Sequence, residues 1–174
     1  ASEHALIGLG PAFVTVENYE HLQLVLTEVL GFKLIDAEGS FHLFEVGEGG
    51  NGASIIVEHR EDLPAAQEGY GNVHHLALRV ADEEALRFWI EKINRLEFPN
   101  SGFVERFYFK SEYFLAATHV LFELATDGPG FLEDETYEHA GEKLSLPPFL
   151  EPKRAGIEEF VRPFDTSDAN VQRN

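Results

Sequence analysis

Val14-Thr15-Val16-Glu17-Asn18-Tyr19-Glu20-His21-Leu22-Gln23-Leu24-Val25-Leu26-Thr27-Glu28-Val29 begins with two valines that close a short strand. It passes through an asparagine suited to cap a helix, then repeats Leu22, Val25, Leu26 and Val29 at helical spacing. Sixty-four residues later the pattern returns. Leu78 and Val80 close a strand, Asp82 stands at the cap, and Leu86, Trp89, Ile90 and Ile93 form the same stripe. Amphipathic helices resemble one another by chance. Agreement of strand, cap and stripe at one ungapped offset points instead to a duplicated module.

Working outward, each predicted helix is followed by three strand-like runs. In the first copy these are Lys33–Asp36, Phe41–Val46 and Ala53–His59, separated by turns at Gly39 and Gly47–Gly52. In the second they are Val104–Phe109, Glu112–Ala116 and His119–Ala125, with Phe107–Phe114 readable as one bent strand. The expected fold class is therefore α+β, built as two tandem βαβββ modules. The expected organisation is a first module over 1–62, a linker over 63–70 around Pro64 and Gly69, a second module over 71–127, and a tail over 128–174. In that tail the Pro-rich segment Leu146–Pro152 carries Leu146, Phe149 and Leu150 and is expected to dock, and a short helix is expected after Pro152.

Composition narrows the chemistry. The 174 residues carry a net charge of -18, which repels phosphate backbones and anionic lipid, so neither nucleic acid nor a membrane surface is an expected partner. No apolar run reaches the roughly 18 residues a spanning helix needs. With no cysteine there is no disulfide framework and no thiolate ligand, and the expected compartment is the cytoplasm. Any metal must be held by His, Asp and Glu. The chain starts at Ala1 and contains no Met, so a longer parent protein is expected.

Strand alternation selects the metal candidates. If Leu76, Leu78 and Val80 pack on the helix stripe, then His75, Ala77 and Arg79 face the opposite, concave side. If Val120, Phe122 and Leu124 face the helices, then Leu121, Glu123 and Ala125 face the concavity too. An imidazole and a carboxylate thus point into one trough, a ligand pair suited to iron, manganese, nickel or zinc. In the first module Pro11 stands at the position of His75, and an ungapped offset puts His59 opposite Glu123. Proline ligates nothing, so only the second module is expected to hold metal. His74 falls on the helix-facing parity and reads as a structural neighbour, and His119 shares the parity of Glu123. Arg79 is expected in a salt bridge with one of the 31 acids.

The strand Gly71-Asn72-Val73-His74-His75-Leu76-Ala77-Leu78-Arg79-Val80 resembles the first metal-ligand strand of the glyoxalase/bleomycin-resistance/extradiol-dioxygenase (vicinal oxygen chelate) superfamily. The runs Arg106–Ser111, Leu121–Phe131 and Gly141–Pro152 resemble the C-terminal half of bacterial hydroquinone-type ring-cleaving dioxygenases. The resemblance covers about Leu6 to Phe160. It implies a non-haem Fe(II) site of two His and one Glu, with His75 and Glu123 as metal ligands. It also implies that Tyr113 is the catalytic residue that hydrogen-bonds a substrate hydroxyl. Two departures stand out. The catechol-type pattern has a His nineteen residues before the Glu, where this chain has Val104, and the second ligand His has no counterpart. Missing N-terminal modules or a second chain would have to supply it.

The activity this implies is Fe(II)-dependent extradiol-type cleavage of hydroquinone- or catechol-like aromatics by O₂, with Mn(II), Ni(II) or Zn(II) as other metals the ligands would accept. A homo-oligomer is expected. Two other readings fit the same trough: a glyoxalase-like metal-dependent isomerase or lyase, and a metal-free binding module of the bleomycin-resistance kind.

Overall fold

The computed structural model of this chain describes residues 8–162. The first residues of the expected first module and the last of the expected tail lie outside this range. Each repeat copy forms its own four-stranded sheet. The first comprises β1 (Ala12–Val16), β2 (Lys33–Glu38), β3 (Phe41–Glu45) and β4 (Ser54–His59), in the order β1-β4-β3-β2. β1 runs parallel to β4, with Val16 opposite His59, and the other neighbours are antiparallel. The second comprises β5 (Leu76–Arg79), β6 (Val104–Glu105), β7 (Lys110–Ala117) and β8 (Val120–Ala125), in the order β5-β8-β7-β6. The fold class is mixed α+β, with the same strand order in both copies.

The helices form where cap and stripe place them. In α1 (Tyr19–Leu24) the Asn18 side chain accepts a hydrogen bond from the His21 amide at 3.0 Å, and the helix continues π-wound through Val25–Val29. In α2 (Glu83–Arg95) Asp82 accepts from the Ala85 amide at 2.8 Å. Leu22, Val25 and Leu26 are buried, as are Leu86 and Ile93. Phe44, Ile55 and Val57 complete the first core, and Phe114, Phe122 and Leu124 are buried in the second copy. A short helix, α3 (Arg154–Phe160), follows a 3-10 turn at Glu151–Lys153.

Strand limits differ from expectation around residue 107. The expected run Val104–Phe109 ends at Glu105, and no continuous strand crosses 107–109. Phe107 has φ 72, a left-handed conformation that breaks a pleated ladder, and its amide is taken by the Glu105 carboxylate at 3.1 Å.

By its contacts the chain divides into two compact units. One holds the first sheet, Ile93–Asn100 and Tyr113–Glu123; the other holds Arg79–Lys92, Ser101–Glu112 and the chain from Leu124. In the second unit, Glu83 of α2 accepts from Lys110 Nζ at 2.6 Å and from Arg87. There too Tyr108 donates to Asp134 at 2.8 Å, and its ring lies tilted against that of Phe131 at 5.5 Å. Leu146 is buried while Phe149 stays 61% exposed. Among the described residues no helix is long and apolar enough to cross a membrane.

Candidate functional site

Glu123 lies between Phe122 and Leu124, which are buried in the core, so the pleat of β8 turns its carboxylate to the other face. There it meets His75, whose Nε2 is 2.8 Å from Glu123 Oε2. The carboxylate is 4% exposed, and its second oxygen, Oε1, is buried with no hydrogen-bond partner. Tyr113, on the adjoining strand β7, sets its ring edge-on to His75 at 5.3 Å. His75 and Glu123, which sequence alternation placed on one face, and Tyr113, which the family resemblance singled out, therefore converge on one spot.

His74 joins them, contrary to its expected parity. Its Nδ1 is 2.8 Å from Nδ1 of His75, the two rings are perpendicular, and Tyr113 lies 6.4 Å from it. The cause is local. Residues 72–75 are irregular and β5 begins only at Leu76, so strand alternation does not govern His74. His74 and His119 also line a cavity of about 340 Å³ whose apolar wall is Leu115 and Leu121. His119 sits at the β7–β8 turn with φ 61. Arg79 pairs with Asp127 at 2.8 Å, the kind of salt bridge expected of it.

The first sheet does not repeat the pair. His59 shares the parity of Ile55 and Val57, which are buried, and its ring stacks on Tyr19 at 5.9 Å. The residue flanked by two core side chains, as Glu123 is, is Ile56. Phe13 lies opposite Ile56 across the ladder and packs edge-on against Phe41 at 5.8 Å. The ungapped offset fails here because the loops between helix and last strand differ in length. Where the second sheet carries imidazole and carboxylate, the first carries hydrocarbon.

The donors present suit a divalent metal in part. A ring nitrogen and a buried carboxylate with an unpartnered oxygen supply two ligands of the kind iron or zinc takes. Among the described residues, no group of three or more His, Cys, Asp or Glu side chains is placed to hold a metal ion.

No family model matches the chain. Curated relatives do. MhqA of Bacillus subtilis strain 168, provisionally named a ring-cleaving dioxygenase, is 45% identical over 166 residues, covering 92% of this chain and 52% of MhqA. MhqO of the same strain, named likewise, is 34% identical over 94% of this chain and 52% of its own length. A crystal structure of a provisionally named dioxygenase from Bacillus subtilis superposes with a TM-score of 0.78 at 34% identity, over 90% of this chain and 50% of that one. A glyoxylase/bleomycin resistance protein/dioxygenase domain from Frankia shares the fold, at a TM-score of 0.62 and 18% identity, over 71% of this chain and 99% of that one. This chain has the vicinal oxygen chelate fold. It spans about half the length of the curated relatives it matches. Within the vicinal oxygen chelate fold, His75, Glu123 and Tyr113 meet where β7 and β8 adjoin.

Proposed function

We propose that this chain is the metal-binding half of a ring-cleaving dioxygenase, in which His75 and Glu123 hold Fe(II) and Tyr113 hydrogen-bonds a hydroxyl of a hydroquinone- or catechol-like substrate. The observation that carries this reading is the His75 Nε2 to Glu123 Oε2 approach of 2.8 Å around a buried carboxylate with one unpartnered oxygen. The names of the curated relatives support the same reaction class.

Each residue has a distinct task. A buried carboxylate oxygen left without a partner, as Glu123 Oε1 is, costs free energy, and a cation there removes that cost. Glu123 therefore favours a positive charge where His75 offers a neutral nitrogen donor. Bound Fe(II) would supply the one-electron chemistry that lets O₂ react with an aromatic ring, which no side chain here can do. The Tyr113 hydroxyl, carried on the neighbouring strand, would orient the substrate and take or give a proton at its hydroxyl oxygen. Leu115 and Leu121 offer an apolar wall nearby for a ring face.

The deciding measurement is anaerobic Fe(II) loading followed by O₂ uptake with a hydroquinone and with a catechol, using this chain together with any further modules or second chain. His75→Ala and Glu123→Ala are each expected to abolish both iron retention and O₂ uptake. Iron retention equal to wild type in Glu123→Ala would overturn the assignment. O₂-independent isomerisation of a thiohemiacetal would favour a glyoxalase-like reading, and tight aromatic binding without metal would favour a binding module.

A further inference from the structure

We infer that His74 is a positioning residue that partners Nδ1 of His75 and so holds its ring at the angle a metal requires; the inference rests on the reading of His75 as a metal ligand. The two Nδ1 atoms lie 2.8 Å apart, hydrogen-bond distance for ring nitrogens. At that separation one nitrogen must carry the proton and the other must offer its lone pair. On its far side His75 presents Nε2 to Glu123 Oε2, also at 2.8 Å. A neutral His75 whose Nε2 lone pair faces a metal keeps its proton on Nδ1. His74 Nδ1 is then the acceptor, and the His74 proton sits on Nε2.

Without a metal the same contacts are satisfied by the opposite arrangement. His75 donates from Nε2 to Glu123, and its Nδ1 accepts from His74 Nδ1. Metal uptake thus displaces the proton on His75 Nε2, His75 Nδ1 takes the proton that His74 Nδ1 held, and His74 Nε2 takes one from water. The two rings carry two protons between them before and after. A carboxylate at position 74 could only accept and a lysine could only donate. A neutral imidazole does both, so the ring of His75 is held at one angle in either state. The perpendicular packing of the two rings, with Tyr113 edge-on to His75 at 5.3 Å, fixes that angle. Consecutive side chains reach one spot because 72–75 is irregular rather than pleated. Ligating histidines commonly depend on such a partner for the second ring nitrogen, at about 10–100-fold in metal affinity.

The test uses the chain with Zn(II) or Co(II) alone. Imidazole ¹⁵N resonances are expected to show His75 protonated on Nε2 without metal and on Nδ1 with Zn(II), while His74 changes in the opposite sense. By Co(II) titration, His74→Phe is expected to lose about 10–100-fold in affinity, and His74→Gln, whose amide oxygen can accept, to recover most of it. Circular dichroism of each variant separates misfolding from loss of the acceptor. Co(II) uptake that depends on Glu123 but is unchanged in His74→Phe, or a His74 tautomer unmoved by Zn(II), overturns the inference alone. Co(II) uptake no better in wild type than in Glu123→Ala overturns the ligand reading and this inference with it.

Discussion

At the scale of single residues, two side chains on one strand carry opposite duties because they sit on opposite faces. Tyr113 faces His75, and on the proposed function Tyr113→Phe is expected to slow turnover about 10²–10⁴-fold while leaving iron content unchanged. Rate and metal stoichiometry measured on one sample check it, and loss of iron would assign the tyrosine a structural task. Its neighbour Glu112 points into the core face with Phe114 and Ala116; it is fully buried, and neither carboxylate oxygen has a partner. Burial pushes its carboxyl up from 4.5 to about 7. A raised pKa stabilises the fold while the group stays protonated. That stability is complete below about pH 4.5 and is lost as pH rises through about 7, amounting to roughly 3 kcal/mol. Glu112→Gln is expected to flatten this dependence and to exceed wild type in stability at pH 8. Urea midpoints across the range decide it, and parallel curves for the two proteins would sink the idea. Sequence alternation placed His75 and Glu123 on one face because each belongs to, or adjoins, a regular strand, whereas Tyr113 was marked only by the family resemblance. It missed His74 because irregular backbone obeys no period, and it missed Glu112 because a lone acid among apolar residues reads the same whether buried or solvated.

Among the elements, the two helices were legible because cap and stripe act locally. Asn18 and Asp82 accept from the amides three residues on, at 3.0 and 2.8 Å. The expected cost of Asn18→Ala is about 1 kcal/mol, whereas Leu86→Ala, which empties a site with no solvent exposure, should cost about 2–5 kcal/mol. Thermal or chemical unfolding of the two variants side by side measures the ratio; equal effects would mean that the stripe of α2 is not a core element. Less was legible where backbone geometry departs from regular values. The π-wound stretch Val25–Val29 keeps Val25 and Leu26 buried, so its hydrophobic pattern looks α-helical. The break at Phe107 needs a positive φ at a residue type that rarely adopts one, and no residue preference announces it. The His59 alignment failed for a related reason: a fixed offset survives through strand and helix but not through loops of unequal length.

For the whole molecule, the question is what would complete the proposed two-ligand centre in a chain that spans about half the length of its curated relatives. A net charge of -18 favours cations in general, yet diffuse charge gives little selectivity, which comes from the number and geometry of ligands. His75 and Glu123 alone should therefore hold Fe(II) weakly, and a third nitrogen donor should tighten binding by more than the added charge balance would. Free imidazole is neutral in its basic form and can occupy that position without altering the fold. Metal affinity of this chain is expected to rise on adding imidazole, to rise further when additional modules or a second chain bring a histidine, and to fall in both cases on Glu123→Ala. Equilibrium dialysis of Fe(II) under anaerobic conditions, with and without imidazole, reads all three. Tight Fe(II) binding by this chain alone at high dilution, unaffected by imidazole, would show that its own residues complete the centre and that no donor need come from outside.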